Sequence, residues 1–361
     1  MDSLGLDATI ISEPKNVYYF TGFLDPAVMA IPSYLLLFKN GDDVLVTGNR
    51  NAKPAARTFK GEVQTFQNYD LRSWMVAKPD VASTLVGLVF RSRNSISKVG
   101  LESWHVPKVI VDSVSKAASS SFIDISRPIE SMRMIKDSDE VANCRASCSL
   151  VDYAYSVAES LSVPGLSEVD LYAAVNQKVI QKAGGFQYFS GDFTVGKRSI
   201  DPVPSGAPTR LTMKDGDTVC LDLWATTKGY WADTCRTFLV GAKPTREQLQ
   251  AYRLVEKALK AGTSKIRPGV PASDVYHAVK KVFVDAGHGS HFTHHAGHGL
   301  GLDAWERPFI IPGSRDVLEE GMVLALEPGV YLKGIAGVRI ENNFILEKDG
   351  IVPLSKYPIG W

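Results

Sequence analysis

The chain has 361 residues, 45% of them hydrophobic and 22% charged, a composition that supports a sizeable buried core and leaves room for two domains. Forty basic residues against 39 acidic ones give a formal net charge of +1, which removes the bulk electrostatic case for a nucleic-acid or anionic-membrane partner and points to a small or neutral substrate. The opening stretch MDSLGLDATIISEPKN lacks the basic run, long apolar segment and cleavage site of a secretory signal. No window reaches the roughly 20 apolar residues of a membrane span. Four cysteines in so long a chain do not make a disulfide framework, so a reducing cytoplasm is the expected location.

Residues 1–125 read as one α/β domain. Residues 8–11 are a short β-type run, and residues 17–23 follow an Asn able to start a turn. Two apolar runs, 34–38 and 44–47, flank Lys39-Asn40-Gly41-Asp42-Asp43; the Asn-Gly pair predicts a hairpin through a type I′ turn, whose two central residues need positive φ. Residues 99–102 begin another strand. With one histidine, His105, and no clustered acids, this half reads as a scaffold or substrate-covering domain.

Residues 126–361 make the second domain. Residues 128–134 lead into a helix over 137–161, where Val141, Cys144, Cys148, Val151 and Ala154 recur at three- and four-residue steps. Ser138 is its expected N-cap and Pro164-Gly165 its stop. Cys144 and Cys148 fall on its core face and read as packing residues. A helix over 167–183, an aromatic β-like stretch from 186 to 194 and a turn-rich segment from 202 to 208 follow. After residues 216–241 come two amphipathic helices, over 245–261 and 272–285, and then short β runs separated by glycine-rich turns.

The chemistry concentrates in three places. Within 216–241, Asp222 and Asp233 sit as lone acids inside two apolar, β-prone runs. Placed opposite each other in a hairpin centred on Thr227-Lys228, their carboxylates converge on one face. Leu221, Leu223, Trp224, Ala225, Trp231 and Ala232 surround them, so an ionised Asp there needs a partner, which a cation supplies. GMVLALEPGVYLKGIAGVRIENNFILE repeats the arrangement with Glu327 and Glu341 about Gly334. Between the hairpins, five of the seven histidines fall between 288 and 298, and neighbouring glycines permit close backbone approach, which favours a ligand among them. Four carboxylates and one imidazole suit a pair of hard or borderline divalent ions such as Mn, Co, Fe or Zn rather than a thiolate-rich structural zinc site. Two such ions about 3.5–4 Å apart hold a bridging hydroxide and polarise a carbonyl, which implies hydrolysis.

In the contexts LDLWATTKGYWADTCRT, HHAGHGLGL, EPGVY and VRIE, the set Asp222, Asp233, His298, Glu327 and Glu341 resembles that of the pita-bread metallopeptidases, in particular the Xaa-Pro peptidases, prolidase and aminopeptidase P. NVYYFTGF resembles the family's N-terminal creatinase-type domain, and SMRMIKDSDEVANCRAS its linker and first catalytic helix. The resemblance implies an α+β fold, with a creatinase-like α/β domain over 1–125 and a pita-bread catalytic domain over 126–361. It implies two divalent ions, Mn or Co with Zn or Fe as alternatives: Asp222 chelates the first, Asp233 and Glu341 bridge, and His298 with Glu327 holds the second. Glu327 passes the proton of the bridging water to the leaving amine. His294 contacts the substrate carbonyl, while Tyr331 and Arg339 belong to the substrate pocket and the layer behind the ligands. The implied assembly is a homodimer, and the implied substrate a short peptide or other small molecule.

Three positions depart from the family pattern. The histidine expected seventeen residues before the first Asp ligand is Ser205, and no histidine lies between His105 and His277. The histidine expected after GHGLGL is Trp305, in AWERP. The Thr expected two residues after the second Asp is Cys235. Losing one donor to a tetrahedral intermediate costs ~10²–10³ in rate, although Trp keeps one N–H and a large apolar face. An intact metal site therefore stands beside a rewritten substrate pocket, with Ser205 and Trp305 on its substrate side. The leading reading is a Xaa-Pro peptidase; a hydrolase or lyase acting on a non-proline small molecule is the second, and a catalytically silent binding protein the third. Retention of all five ligands argues against the third, because a silent site has no reason to keep facing carboxylates unneutralised.

Overall fold

In the computed structural model, which describes residues 1–24, 32–68, 79–93, 95–185, 187–200, 206–241 and 243–361, the chain divides into two units, Met1–Glu130 and Ser131–Trp361. The first runs β1 (Ala8–Ile11), α1 (Pro14–Thr21), β2 (Tyr34–Phe38), β3 (Val44–Gly48), α2 (Ala52–Thr58), β4 (Glu62–Phe66), α3 (Pro79–Arg91), β5 (Lys98–Leu101), α4 (Lys108–Ala117), β6 (Ser121–Asp124) and α5 (Ser126–Met134), with the division falling inside α5. These strands make one mixed sheet in the order β4-β3-β2-β1-β5-β6. Successive strand residues point to opposite faces, so Leu36 packs with Phe90 of α3 and Ile110 of α4, while Leu35 packs with Val17 of α1 and Ala55 of α2. Burial on both faces is why its central strands are continuously apolar.

Residues 17–21 belong to α1 instead of following a turn: the Glu13 side chain accepts the Asn16 N–H, Pro14 opens the helix, and Gly22 closes it at φ 66°. The β2–β3 hairpin forms as read, but not through a type I′ turn. Gly41 takes positive φ (83°) while Asn40 does not. Asn40 Oδ1 instead accepts the Asp42 N–H at 3.2 Å and Asp43 Oδ1 accepts the Phe38 N–H at 2.9 Å, so side chains close a longer loop.

The second unit runs α6 (Ser138–Leu161), α7 (Glu168–Ala183), β7 (Phe189–Val195), β8 (Thr218–Thr227), β9 (Tyr230–Leu239), α8 (Arg246–Lys265), α9 (Ala272–Asp285), β10 (Gly297–Gly299), β11 (Glu306–Ile310), β12 (Val323–Leu326), β13 (Gly329–Leu332), β14 (Ala336–Arg339), β15 (Asn342–Glu347) and β16 (Gly350–Pro353). Asp137, not Ser138, caps α6, because its carboxylate reaches the N–H groups of Asp139 and Glu140 at 2.9 Å and Glu140 returns the bond in a capping box. Cys144 and Cys148 are fully buried on its inner face. The strands group as β7-β8-β9, β11-β10-β12-β15-β16 and the pair β13-β14. Helices α8 and α9 bury Val255, Leu259, Val279 and Phe283 against Leu324, Leu326, Val338 and Phe344, which backs the strands on either side of Glu327 and Glu341. Among the described residues, no helix is long and apolar enough to cross a membrane.

The β8–β9 hairpin turns at Lys228-Gly229, with φ of 49° and 80°, the positive pair that a two-residue type I′ turn needs. Its register pairs Asp222 with Cys235 and Trp224 with Asp233. The two acids are thus diagonal, not directly opposite as the sequence suggests. They still share one face, since residues two apart on a strand point the same way.

Candidate metal centre

The ladders Leu326↔Asn342 and Gly329↔Arg339 continue in one register, which sets Glu327 opposite Glu341 at the step between them. Strand β9 is stitched alongside. Asn343 Oδ1 accepts the Asp233 N–H at 3.0 Å, and Asn343 Nδ2 donates to the Asp233 carbonyl at 2.5 Å. The Glu341 N–H donates to the Cys235 carbonyl at 3.0 Å. Thr237 Oγ1 donates to the Arg339 carbonyl at 2.9 Å and accepts the Arg339 N–H at 3.1 Å. These pairs step antiparallel and carry the carboxylates of both hairpins to one place.

There, ligand atoms of Asp233, His298 and Glu341 all lie within 4.8 Å of one another, and so do those of His295, His298 and Glu327. His298 Nδ1 is 2.9 Å from the Gly299 carbonyl, which leaves Nε2 3.8 Å from Asp233 Oδ2 and 3.5 Å from Glu327 Oε1. A ring held by its far nitrogen and aiming the other at carboxylates is how proteins orient metal-binding imidazoles. Asp222 lies outside both groups of three, with one oxygen taken by Arg339 Nη2.

Asp222 Oδ1, Asp233 Oδ1, His298 Nε2 and both carboxylate oxygens of Glu341 are buried without a hydrogen-bond partner. Each such atom costs on the order of 1–3 kcal/mol if nothing satisfies it. Oxygen and imidazole donors of this kind fit divalent cations.

The electrostatics agree. Burial, reinforced by the charges of Asp222 and Glu327, pushes Asp233 well up. Burial and the charges of Asp233 and Glu327 do the same to Glu341. Asp222 goes up to about 6, burial outweighing the opposed Arg339 guanidinium. Glu327 behaves differently: burial works against its ionisation, but the His295 hydrogen bond and the charges of His295, His298 and His294 hold it at about 2. Burial pushes His294 down to about 4, so its ring is neutral at physiological pH. Three of the four carboxylates need added positive charge to ionise easily.

The expected pocket residues are partly brought together. Arg339 donates to Asp222 and, at 3.3 Å, to Tyr331 Oη, which lies 3.0 Å from His294 Nε2. Trp305 is 64% exposed with its ring 6.2 Å from that of His298, at the edge of the cluster. Ser205 lies outside the described residues. Cys235 is buried, its Sγ 3.6 Å from Cys220 Sγ.

Three neighbours were not singled out in the sequence. His295 Nε2 is 2.7 Å from Glu327 Oε1; the histidine cluster signals an active imidazole there without saying which. Asp192 pairs with Asp222 across β7–β8 and comes within 3.9 Å of Arg339 Nη2; its signal is a lone acid in the alternating strand FSGDFTV. Asn343 clamps Asp233, and nothing in ENNF marks it.

Residues 142–348 match the model of metallopeptidase family M24, and residues 1–135 that of the creatinase/prolidase N-terminal domain. A putative dipeptidase of Bacillus subtilis, YkvY, is 29% identical over 358 residues, covering 98% of this chain and 94% of the relative. The prolidase of Pyrococcus horikoshii superposes with a TM-score of 0.84 at 28% identity, over 99% of this chain and 96% of that one. The Xaa-Pro dipeptidase of Bacillus anthracis does so with a TM-score of 0.84 at 26% identity, over 99% and 95%. The chain belongs to metallopeptidase family M24 and is a prolidase-like enzyme of that family, a creatinase-type N-terminal domain followed by a pita-bread catalytic domain.

Proposed function

We propose that the protein is a two-metal Xaa-Pro peptidase that hydrolyses the bond before proline in dipeptides or short peptides. The observation that carries this reading is the set of buried, unpartnered ligand atoms on Asp222, Asp233, His298 and Glu341 beside a Glu327 that stays ionised. Its likeness to the prolidase of P. horikoshii and the Xaa-Pro dipeptidase of B. anthracis supports the substrate class.

In this proposal Asp222, Asp233, His298, Glu327 and Glu341 hold two divalent ions, Mn or Co, with Zn or Fe as alternatives. When bound, the ions acidify a water and polarise the scissile carbonyl. A bond to proline is a tertiary amide, so its nitrogen must gain a proton to leave as an amine. Glu327, whose carboxylate faces His295 and His298, is a carboxylate at neutral pH and can take the proton of the attacking water and deliver it to that nitrogen. Arg339 and Tyr331 brace Asp222, and His294 and Trp305 line the substrate side. We further place the enzyme in the cytoplasm as a homodimer. The four cysteines are all free, which accords with a reducing compartment, and the dimer follows from the family resemblance.

A panel of Xaa-Pro dipeptides, Xaa-Pro tripeptides and non-proline dipeptides, assayed with Mn, Co and Zn, tests the reading. Preferred cleavage before proline is expected. Cleavage confined to non-proline substrates would favour the second reading, which the exposed Trp305 in place of an imidazole motivates.

A further inference from the structure

We propose that His295 is a ligand of the second metal ion, so that this ion is held by two imidazoles, His295 and His298, together with Glu327. This rests on the metal-site reading above and adds a donor that the five-residue set does not contain.

The ligand atoms of His295, His298 and Glu327 form one of the two compact groups at the centre, and the two rings lie 5.7 Å apart, tilted by 63°. Backbone contacts fix this proximity. The Glu327 N–H donates to the Ala296 carbonyl at 2.8 Å, which ties the residue after His295 to the residue bearing the carboxylate. Gly297 makes the approach possible: a Cβ there would meet the Ala325 carbonyl oxygen at 2.1 Å. Only a glycine lets β10 lie so close to β12, with His295 and His298 on either side of the contact.

The 2.7 Å between His295 Nε2 and Glu327 Oε1 is a hydrogen bond, shorter than the roughly 3–3.5 Å that separates two donors on one ion with bonds of about 2.1 Å. A proton shared by an imidazole and a carboxylate is what a cation displaces on binding, because both groups ligate in their deprotonated forms. His294 cannot take this part: its Nδ1 is 2.7 Å from the His295 carbonyl and its Nε2 faces Tyr331 Oη. His295 keeps 36% of its side chain exposed, which leaves a path for an ion to enter.

A second imidazole moves the site from hard toward borderline donors, so it favours Co, Zn or Fe over Mn. The test is calorimetric titration of chelator-stripped wild type, His295→Ala and His295→Gln with Zn, Co and Mn, together with the visible spectrum of the Co-loaded proteins. Wild type is expected to bind two equivalents. His295→Ala should weaken one of them at least ~10-fold for Zn and Co, less for Mn, and shift the Co spectrum. His295→Gln, which keeps an N–H for Glu327 but no imidazole, should be as weak as the alanine variant. Full affinity in His295→Gln would mean that the ring only orients Glu327 and would overturn the assignment, as would an unchanged affinity and spectrum in His295→Ala. Failure of wild type to bind any metal would instead overturn the metal site itself.

Discussion

Arg339, on the second hairpin, donates one N–H to the Asp222 carboxylate on the first and another to Tyr331 Oη. All three side chains are buried. Removing one partner of a buried ion pair typically costs about 3–5 kcal/mol, because the other is left uncompensated. Arg339→Ala should lower the stability of the metal-free catalytic unit by that order in urea unfolding. The loss should be smaller with metal present, since a cation then compensates Asp222. Arg339→Lys should recover only part, because an ammonium lacks the fork that reaches both partners. An unchanged urea midpoint in the alanine variant would show that the pair adds nothing to stability.

Asn343 holds both the N–H and the carbonyl of Asp233 with one amide. Asn343→Ala leaves two backbone groups without this partner, on the order of 1–3 kcal/mol each when buried, and lets the Asp233 carboxylate wander. Isothermal titration should show metal affinity falling 10–100-fold, the size of effect seen when an outer support of a metal ligand is lost. Wild-type affinity in this variant would mean that strand pairing alone positions Asp233.

The metal-free protein should lose stability as pH rises. Asp222 sits at about 6, and burial holds Asp233 and Glu341 above the ordinary carboxylate range. The folded chain therefore keeps protons that the unfolded chain releases near pH ~4. Where the folded state binds more protons, stability falls with pH. This contribution is full below pH ~4 and is lost as pH climbs through about 6 for Asp222, and higher for the other two. Glu327 acts in the opposite sense as pH falls from its ordinary 4.5 toward about 2, and His294, held at about 4, and His298, held below the ordinary imidazole value, do so as pH falls below 6.5, where the unfolded chain binds the protons they refuse. The thermal midpoint of stripped protein should decline most clearly between about pH 6.5 and 8, above the range in which the two histidines oppose it, and Glu341→Gln should flatten the decline. Saturating metal should remove it by replacing the protons. A midpoint that rises over this range in stripped protein would contradict the assignment.

The sequence motif puts Trp305 at a position where the family resemblance implies a histidine, and its ring centroid is 6.2 Å from that of His298. If it occupies the place of a donor to the tetrahedral intermediate, Trp305→His should raise turnover of Xaa-Pro dipeptides by up to ~10²–10³. Steady-state rates on one dipeptide suffice. No gain would mean that Trp305 does not take that place.

The five acid and imidazole candidates are legible in the sequence because lone carboxylates inside apolar β runs contradict ordinary burial unless something neutralises them. The second hairpin is legible down to its register, with Gly334 at the turn and Glu327 opposite Glu341. The first is not. Moving the turn centre from Thr227-Lys228 to Lys228-Gly229 changes the pairing by two residues, and that choice depends on which residues adopt positive φ. Asp137 and Ser138 are both good caps, and only the geometry of the first turn selects between them. His295, Asp192 and Asn343 acquire their roles from tertiary neighbours: the Ala296–Glu327 contact, the β7–β8 pairing and the seam between β9 and β15. No local pattern encodes these.

Proline release from one Xaa-Pro dipeptide, measured on wild type and Glu327→Gln at equal, independently determined metal content, is the most direct test of a metal-dependent peptidase working through Glu327. Wild type should release proline, and the variant, with its metal retained, should be slower by at least ~10²-fold. Equal rates in the two proteins, or no proline from wild type carrying two equivalents of metal, would contradict it.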